Sequence, residues 1–134
     1  MAMTITALLS SRCWGRDSYE YYARKLSDPS PLHDFTLMDP EGKPFSLSSL
    51  RGKFVLLTFG FTHCPNICPT TLANLAAAYE LLSPADQARL KVLFITIDPG
   101  RDTAKVLKDY VPFFDKHFVG LSGKPEQIAA VAAA

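Results

Sequence analysis

Two six-residue apolar runs constrain this chain most: Phe54-Val55-Leu56-Leu57-Thr58-Phe59 and Val92-Leu93-Phe94-Ile95-Thr96-Ile97. Neither alternates apolar with polar. Each therefore reads as a strand covered on both faces, the pattern of a central strand in a parallel sheet. The sequence between them supplies a crossover helix. Pro69 suits a first helical position. Leu72, Leu75, Ala76, Tyr79 and Leu82 follow at the spacing of one buried helical face, and Ser83-Pro84 ends it.

The pattern repeats downstream. Asp98-Pro99-Gly100-Arg101-Asp102-Thr103 is a loop, with Asp102 or Thr103 the N-cap of a helix whose face is Val106, Leu107, Tyr110 and Val111. Pro112 breaks or kinks that helix. Phe118 to Leu121 is a short strand and Gly123 a turn. Pro125 opens a last helix, with Glu126 favourably in its first turn. Upstream, His33 to Leu37 and Pro44 to Leu47 are short strands joined by the turn Asp39-Pro40-Glu41-Gly42, and Ser48 to Gly52 is a loop or single helical turn. Strands alternating with helices predict an α/β fold with right-handed crossovers. Residues 1–30 carry no sustained period and are expected to be a disordered leader. Asp28-Pro29-Ser30-Pro31 marks the edge of a domain over 31–134.

A length of 134 residues fits one domain, and 48% hydrophobic with 20% charged residues fits a globular one. The net charge of +1, without a basic stripe or an acidic tail, points away from nucleic acid. No stretch of about 18 apolar residues is present to span a bilayer. Met1 to Leu9 is short and lacks a basic n-region, so it makes a poor signal peptide.

The chemistry concentrates where the first apolar run passes to the first helix, in Phe59-Gly60-Phe61-Thr62-His63-Cys64-Pro65-Asn66-Ile67-Cys68-Pro69-Thr70. Open α/β sheets place their functional groups at such strand ends. Of the three cysteines, Cys64 and Cys68 form a local pair and Cys13 is left over in the leader, which is no disulfide framework. Cys68 starts the helix, where free N–H groups and the dipole lower a thiol pKa, and Cys64 is near enough to share the effect. Soft thiolates select Cu(I), zinc or iron–sulfur clusters. Two sulfurs are too few for a closed zinc site. The same pair can instead cycle between dithiol and disulfide. The bland alternatives are two small buried residues or a structural disulfide. His63 is a candidate ligand or a loop residue that tunes the thiolates. His117 lies near a helix end and His33 on an edge strand. Asp98 ends the second run at the same sheet edge, where its carboxylate either bonds a ligand, holds the loop, or simply starts an Asp-Pro turn. Arg101 and Asp102 suit a local ion pair and cap. Phe113, Phe114 and Phe118 read as core.

These residues carry a family pattern. Thr58 to Thr70 resembles the cysteine loop of the SCO/SenC family, Phe94 to Thr103 its second signature, and Phe118-Val119-Gly120-Leu121-Ser122-Gly123 its third. Phe35-Thr36-Leu37, Gly42 and Leu50-Arg51-Gly52-Lys53 fit as well, so the likeness runs from about residue 33 to the end. The resemblance implies a thioredoxin-like fold and a copper metallochaperone for the copper centre of cytochrome c oxidase, one that binds copper through two loop cysteines and a distal histidine. Cys64 and Cys68 match the cysteines, and Asp98 matches an aspartate near the site. The implied partners are the copper-bearing oxidase subunit and other copper chaperones. The implied location is the bacterial periplasm, facing the inner membrane, or the mitochondrial intermembrane space. Gly100 departs from an acidic position in the second motif. None of His33, His63 and His117 matches the distal histidine, which the family carries in a β-hairpin after the last helix of this chain. The expectation is therefore a partial domain, with the closing hairpin, the last helix and the membrane anchor missing. The alternatives to Cu(I) delivery are a thiol:disulfide oxidoreductase using Cys64 and Cys68 as its redox pair, and an inert truncated copy.

Overall fold

The computed structural model describes Ser27 and residues 31–133. From Leu32 the chain runs β1 (Thr36–Met38), β2 (Pro44–Ser46), a 3-10 turn (Leu47–Leu50), β3 (Phe54–Gly60), α1 (Ile67–Glu80), α2 (Pro84–Arg89), β4 (Leu90–Thr96), α3 (Ala104–Phe114), β5 (Val119–Leu121) and α4 (Pro125–Ala133). The expected leader, with Cys13, lies outside the described residues apart from Ser27.

Strands β3, β4 and β5 form a parallel sheet in that order, with Leu57 opposite Leu93 and Phe94 opposite Gly120. Successive side chains of a strand point to opposite faces, and β4 uses both. Val92 and Phe94 join Leu72 and Tyr79 of α1, Leu107 and Val111 of α3, and Phe118. Leu93 and Ile95 join Leu37, Leu50, Leu121, and Ile128 and Val131 of α4. Strands β1 and β2 form an antiparallel hairpin. It is fastened to the end of β5 by Met38 N–H to the Ser122 carbonyl at 2.7 Å and the reciprocal bond at 2.9 Å. Gly42 supplies the positive φ, 75°, that the hairpin turn requires.

Several expectations are corrected. The first apolar run is not central: among the described residues β3 pairs with β4 alone and forms an edge of the three-stranded sheet, with Phe54 and Phe59 exposed. An apolar run reports what lies above and below a strand, not what lies beside it. Ile97 falls outside β4 and is exposed, though its N–H still bonds the Gly60 carbonyl at 2.8 Å. Helix α1 starts at Ile67, so Pro69 is its third residue. The position costs nothing, because the first four helical N–H groups lack intrahelical acceptors. Ser83-Pro84 ends α1 and also opens α2, where Ser83 Oγ accepts from Asp86 N–H at 3.2 Å. Pro112 lies inside α3, which continues to Phe114. Phe113 is 82% exposed and is not core, whereas Phe118 is buried and Phe114 is half-buried against Tyr110.

Candidate metal centre

Strands β3 and β4 run parallel, so their carboxyl ends lie side by side, and both chemical loops leave from that end. The first loop turns tightly, with Cys64 N–H donating to the Phe61 carbonyl at 3.2 Å. It then enters α1. Asn66 occupies the capping position but its side chain makes no cap bond. A sulfur takes that place instead: Cys68 N–H points at Cys64 Sγ at 3.5 Å. The two cysteines thus share one small volume, and both are free thiols.

The electrostatics of the pair are unequal. The backbone N–H of Cys68, then that of Asn66, hold the Cys64 thiol below the ordinary cysteine value. Burial pushes Cys68 up, and the neighbouring Cys64 adds to the rise. This reverses the expectation that Cys68 itself gains from the helix start. The free N–H groups of a first turn converge on whatever precedes the helix. Cys64 stands there, while Cys68 is inside the helix and half-buried.

A consequence is open to titration. As pH rises, Cys64 forms a thiolate first and Cys68 only above the ordinary thiol range. Thiolate absorbance should show two steps, with the lower one lost in Cys64→Ser. Because its folded pKa is depressed, Cys64 contributes stability that is fully present above the unfolded thiol pKa and is lost as pH falls through the folded value. Cys68 has the opposite sign, stabilising below the unfolded value and losing that contribution as pH rises through its raised pKa. A single step shared equally by both thiols would contradict this order.

Gly60, the last residue of β3, makes room for the second sulfur. A Cβ built there would lie 3.0 Å from Cys68 Sγ and 2.7 Å from Phe94 Cε2. Nothing in the sequence around Gly60 flags this requirement, because it depends on what α1 and β4 bring in from elsewhere.

The second loop carries two carboxylates, Asp98 and Asp102, with different partners. Asp98 binds Arg101 through its carboxylate, while its N–H donates to Thr96 Oγ1 at 3.0 Å. It is Asp102, fully buried, that meets the cysteine loop. Its Oδ1 accepts from Thr62 Oγ1 at 2.5 Å, and its Oδ2 accepts from Thr62 N–H at 3.0 Å and from Thr96 Oγ1 at 2.6 Å. Burial alone would raise its pKa, but the hydrogen bonds from Thr62 and Thr96 outweigh burial and hold the carboxyl below its ordinary value. Arg101 therefore pairs with Asp98 rather than Asp102, and the cap of α3 is Thr103, whose Oγ1 accepts from Val106 N–H.

His63 is exposed, and its Nδ1 lies 3.2 Å from Thr62 Oγ1 and 3.7 Å from Asp102 Oδ1. His117 contacts Asp115 at 2.8 Å, and its carbonyl accepts from Lys91 near the opposite end of the sheet. Among the described residues no group of three histidine, cysteine, aspartate or glutamate side chains is placed to hold a metal. Tyr110 was legible only as part of a helical face. Its hydroxyl is the one buried side-chain polar atom without a partner among the described residues. Burial raises its pKa, and the negative charges of Cys68 and Cys64 raise it further, so the phenol stands near the pair.

The family model described as SCO1/SenC matches residues 24–134. The chain belongs to the SCO1/SenC family. It is 44% identical over 97 residues to the mitochondrial protein SCO2 of Saccharomyces cerevisiae, an alignment covering 72% of this chain and 32% of that protein. The chain thus spans only about a third of that relative. The apo Sco1 solution structure from Thermus thermophilus matches with a TM-score of 0.80 at 44% identity, over 87% of this chain and 67% of that one. A crystal structure of Arabidopsis thaliana ScoI with copper bound matches with a TM-score of 0.70 at 40% identity, over 75% of this chain and 63% of that one. The fold is thioredoxin-like, as these likenesses establish.

Proposed function

We propose that this SCO1/SenC chain binds one Cu(I) ion through the Cys64 and Cys68 thiolates and hands it to the copper-bearing subunit of cytochrome c oxidase during assembly. The observation that carries this reading is the pairing of two free sulfurs at the start of α1, with Cys64 Sγ 3.5 Å from Cys68 N–H. Copper is the cargo. Two soft thiolates suit Cu(I), and loading releases the thiol protons. The helix N–H groups lower the cost of the first deprotonation at Cys64. Transfer then proceeds by exchange of one thiolate at a time for a recipient ligand, with no change in oxidation state. A clamp of two sulfurs suits release as well as capture. The copper-bound relative supports the metal. We infer a location in the bacterial periplasm, facing the inner membrane, or in the mitochondrial intermembrane space, a reading supported by the mitochondrial and bacterial relatives. No helix among the described residues is long and apolar enough to cross a membrane. Titration of the reduced protein with Cu(I) against a chromophoric chelator should give one copper per chain, and no uptake at chelator-buffered copper would refute the proposal.

The unequal thiols favour a second reading, reduction of a target disulfide. The Cys64 thiolate would attack one target sulfur and release the other as a thiolate. Cys68 would then attack Cys64 Sγ, forming the Cys64–Cys68 disulfide and freeing the second target thiol, so that two electrons pass to the target. Rapid reduction of a model disulfide by copper-free protein that takes up no Cu(I) would favour this reading over delivery.

A further inference from the structure

Asp102 is an unusual group for this site. Its carboxylate is fully buried although the adjacent Arg101 is exposed, and two of its three side-chain hydrogen bonds come from the cysteine loop. Thr62 gives it both a backbone N–H and a hydroxyl, and Thr62 lies inside the turn that Phe61 and Cys64 close. The third bond comes from Thr96, the last residue of β4 and also fully buried. The Thr96 hydroxyl donates to Asp102 and accepts from Asp98 N–H, so the carboxylate is anchored to the end of the central strand. Thr103 caps α3 immediately after Asp102, and a negative charge is favoured there.

We propose that Asp102 is a positioning residue for the copper clamp: by holding both polar groups of Thr62 against the end of β4, it sets the turn that presents Cys64 Sγ to the N–H groups of α1. A turn released from Asp102 would let Cys64 swing away from Cys68 N–H. The thiolate would lose its donors, and the two sulfurs would lose their common position. The inference rests on the two-cysteine reading of the site, and it assigns a role that belongs to neither sulfur.

The test uses the full chain and the variants Thr62→Val, Thr62→Ser and Asp102→Asn. Two readouts are taken: Cu(I) affinity by competition with a chromophoric chelator, and the rate of Cys64 alkylation by iodoacetamide at pH 7 in copper-free protein, followed by peptide mass. Thr62→Val removes the hydroxyl and keeps the Asp102 charge. We expect it to weaken Cu(I) binding about tenfold, the effect of losing one good hydrogen bond to a charged group, and to slow Cys64 alkylation several-fold. Thr62→Ser restores the hydroxyl and should recover most of both. Asp102→Asn should weaken Cu(I) binding at least as much as Thr62→Val, and the double variant should lose little more than Asp102→Asn alone. If Thr62→Val and Asp102→Asn lower the melting temperature but leave alkylation rate and affinity at wild-type values, Asp102 is a fold residue only and the proposal is overturned. If Asp102→Asn acts while Thr62→Val does not, its charge rather than its hold on Thr62 is responsible, which also overturns it. Should Asp102→Asn fail to fold, the Thr62 pair decides. A wild-type protein that takes up no Cu(I) refutes the function proposal, while the alkylation readout still tests the positioning role.

Discussion

Cys64→Ser is expected to lower Cu(I) affinity by about two to three orders of magnitude. A structural zinc site gains roughly 10–16 kcal/mol from four ligands, so by analogy one thiolate contributes about 2.5–4 kcal/mol, and about 1.4 kcal/mol is tenfold. With only two sulfurs in the clamp, that loss leaves a single soft ligand. The substitution is also clean structurally. Cys64 Sγ occupies the place of a helix cap, and serine is among the favoured capping residues, so α1 should keep its acceptor. Thermal unfolding should change little while the low-pH thiolate step and tight copper uptake vanish together. Chelator competition on the two proteins in parallel checks this, and equal uptake by both would sink the two-sulfur clamp.

Gly60→Ala is expected to be damaging for a different reason. Gly60 does not have the positive φ seen at Gly42 and Gly52, so alanine suffers no backbone strain there. The obstacle is contact: the new methyl would sit 2.7 Å from Phe94 Cε2 and 3.0 Å from Cys68 Sγ. Phe94 is 1% exposed at the centre of the sheet and cannot retreat. Forcing a methylene into a packed core costs about 1–3 kcal/mol. For a domain of roughly this size each kcal/mol lowers Tm by about 4–8 °C. The displaced Cys68 sulfur should weaken copper binding further. Gly52→Ala is the control, since φ is 82° and nothing lies within 4 Å, so its loss of stability comes without any effect on the thiols. A Gly60→Ala protein with wild-type Tm would show that the strand end yields more easily than its packing indicates.

Much of this architecture was legible in the chain. The run Val92 to Ile97 falls on β4, Leu90–Thr96, except for Ile97, and its apolarity correctly signalled cover on both faces. The helical spacing of Leu72 and Tyr79, and of Leu107 and Val111, named the inward faces of α1 and α3. The pair Cys64 and Cys68, set between strand and helix, marked the site, because local sequence dictates both the strand end and the helix start. Lateral order was not legible. Phe54 to Phe59 looks as central as Val92 to Ile97, yet in the three-stranded sheet of the described residues β4 lies between two strands and β3 at an edge. Phe113 was read as core because its residue type favours burial, but its position on α3 turns it to solvent.

The sequence by itself determined the α/β order, the helix and strand faces, and the two sulfurs at one strand end, since these follow from periodicity and from spacing within a dozen residues. Only the tertiary structure decided which sulfur faces the helix N–H groups and which carboxylate contacts the cysteine loop. Cys64 rather than Cys68 faces the converging N–H groups, and Asp102 rather than Asp98 reaches Thr62 across forty residues of chain. Both answers depend on where side chains point once β3 and β4 lie side by side, and direction through space is set by packing rather than by position along the chain.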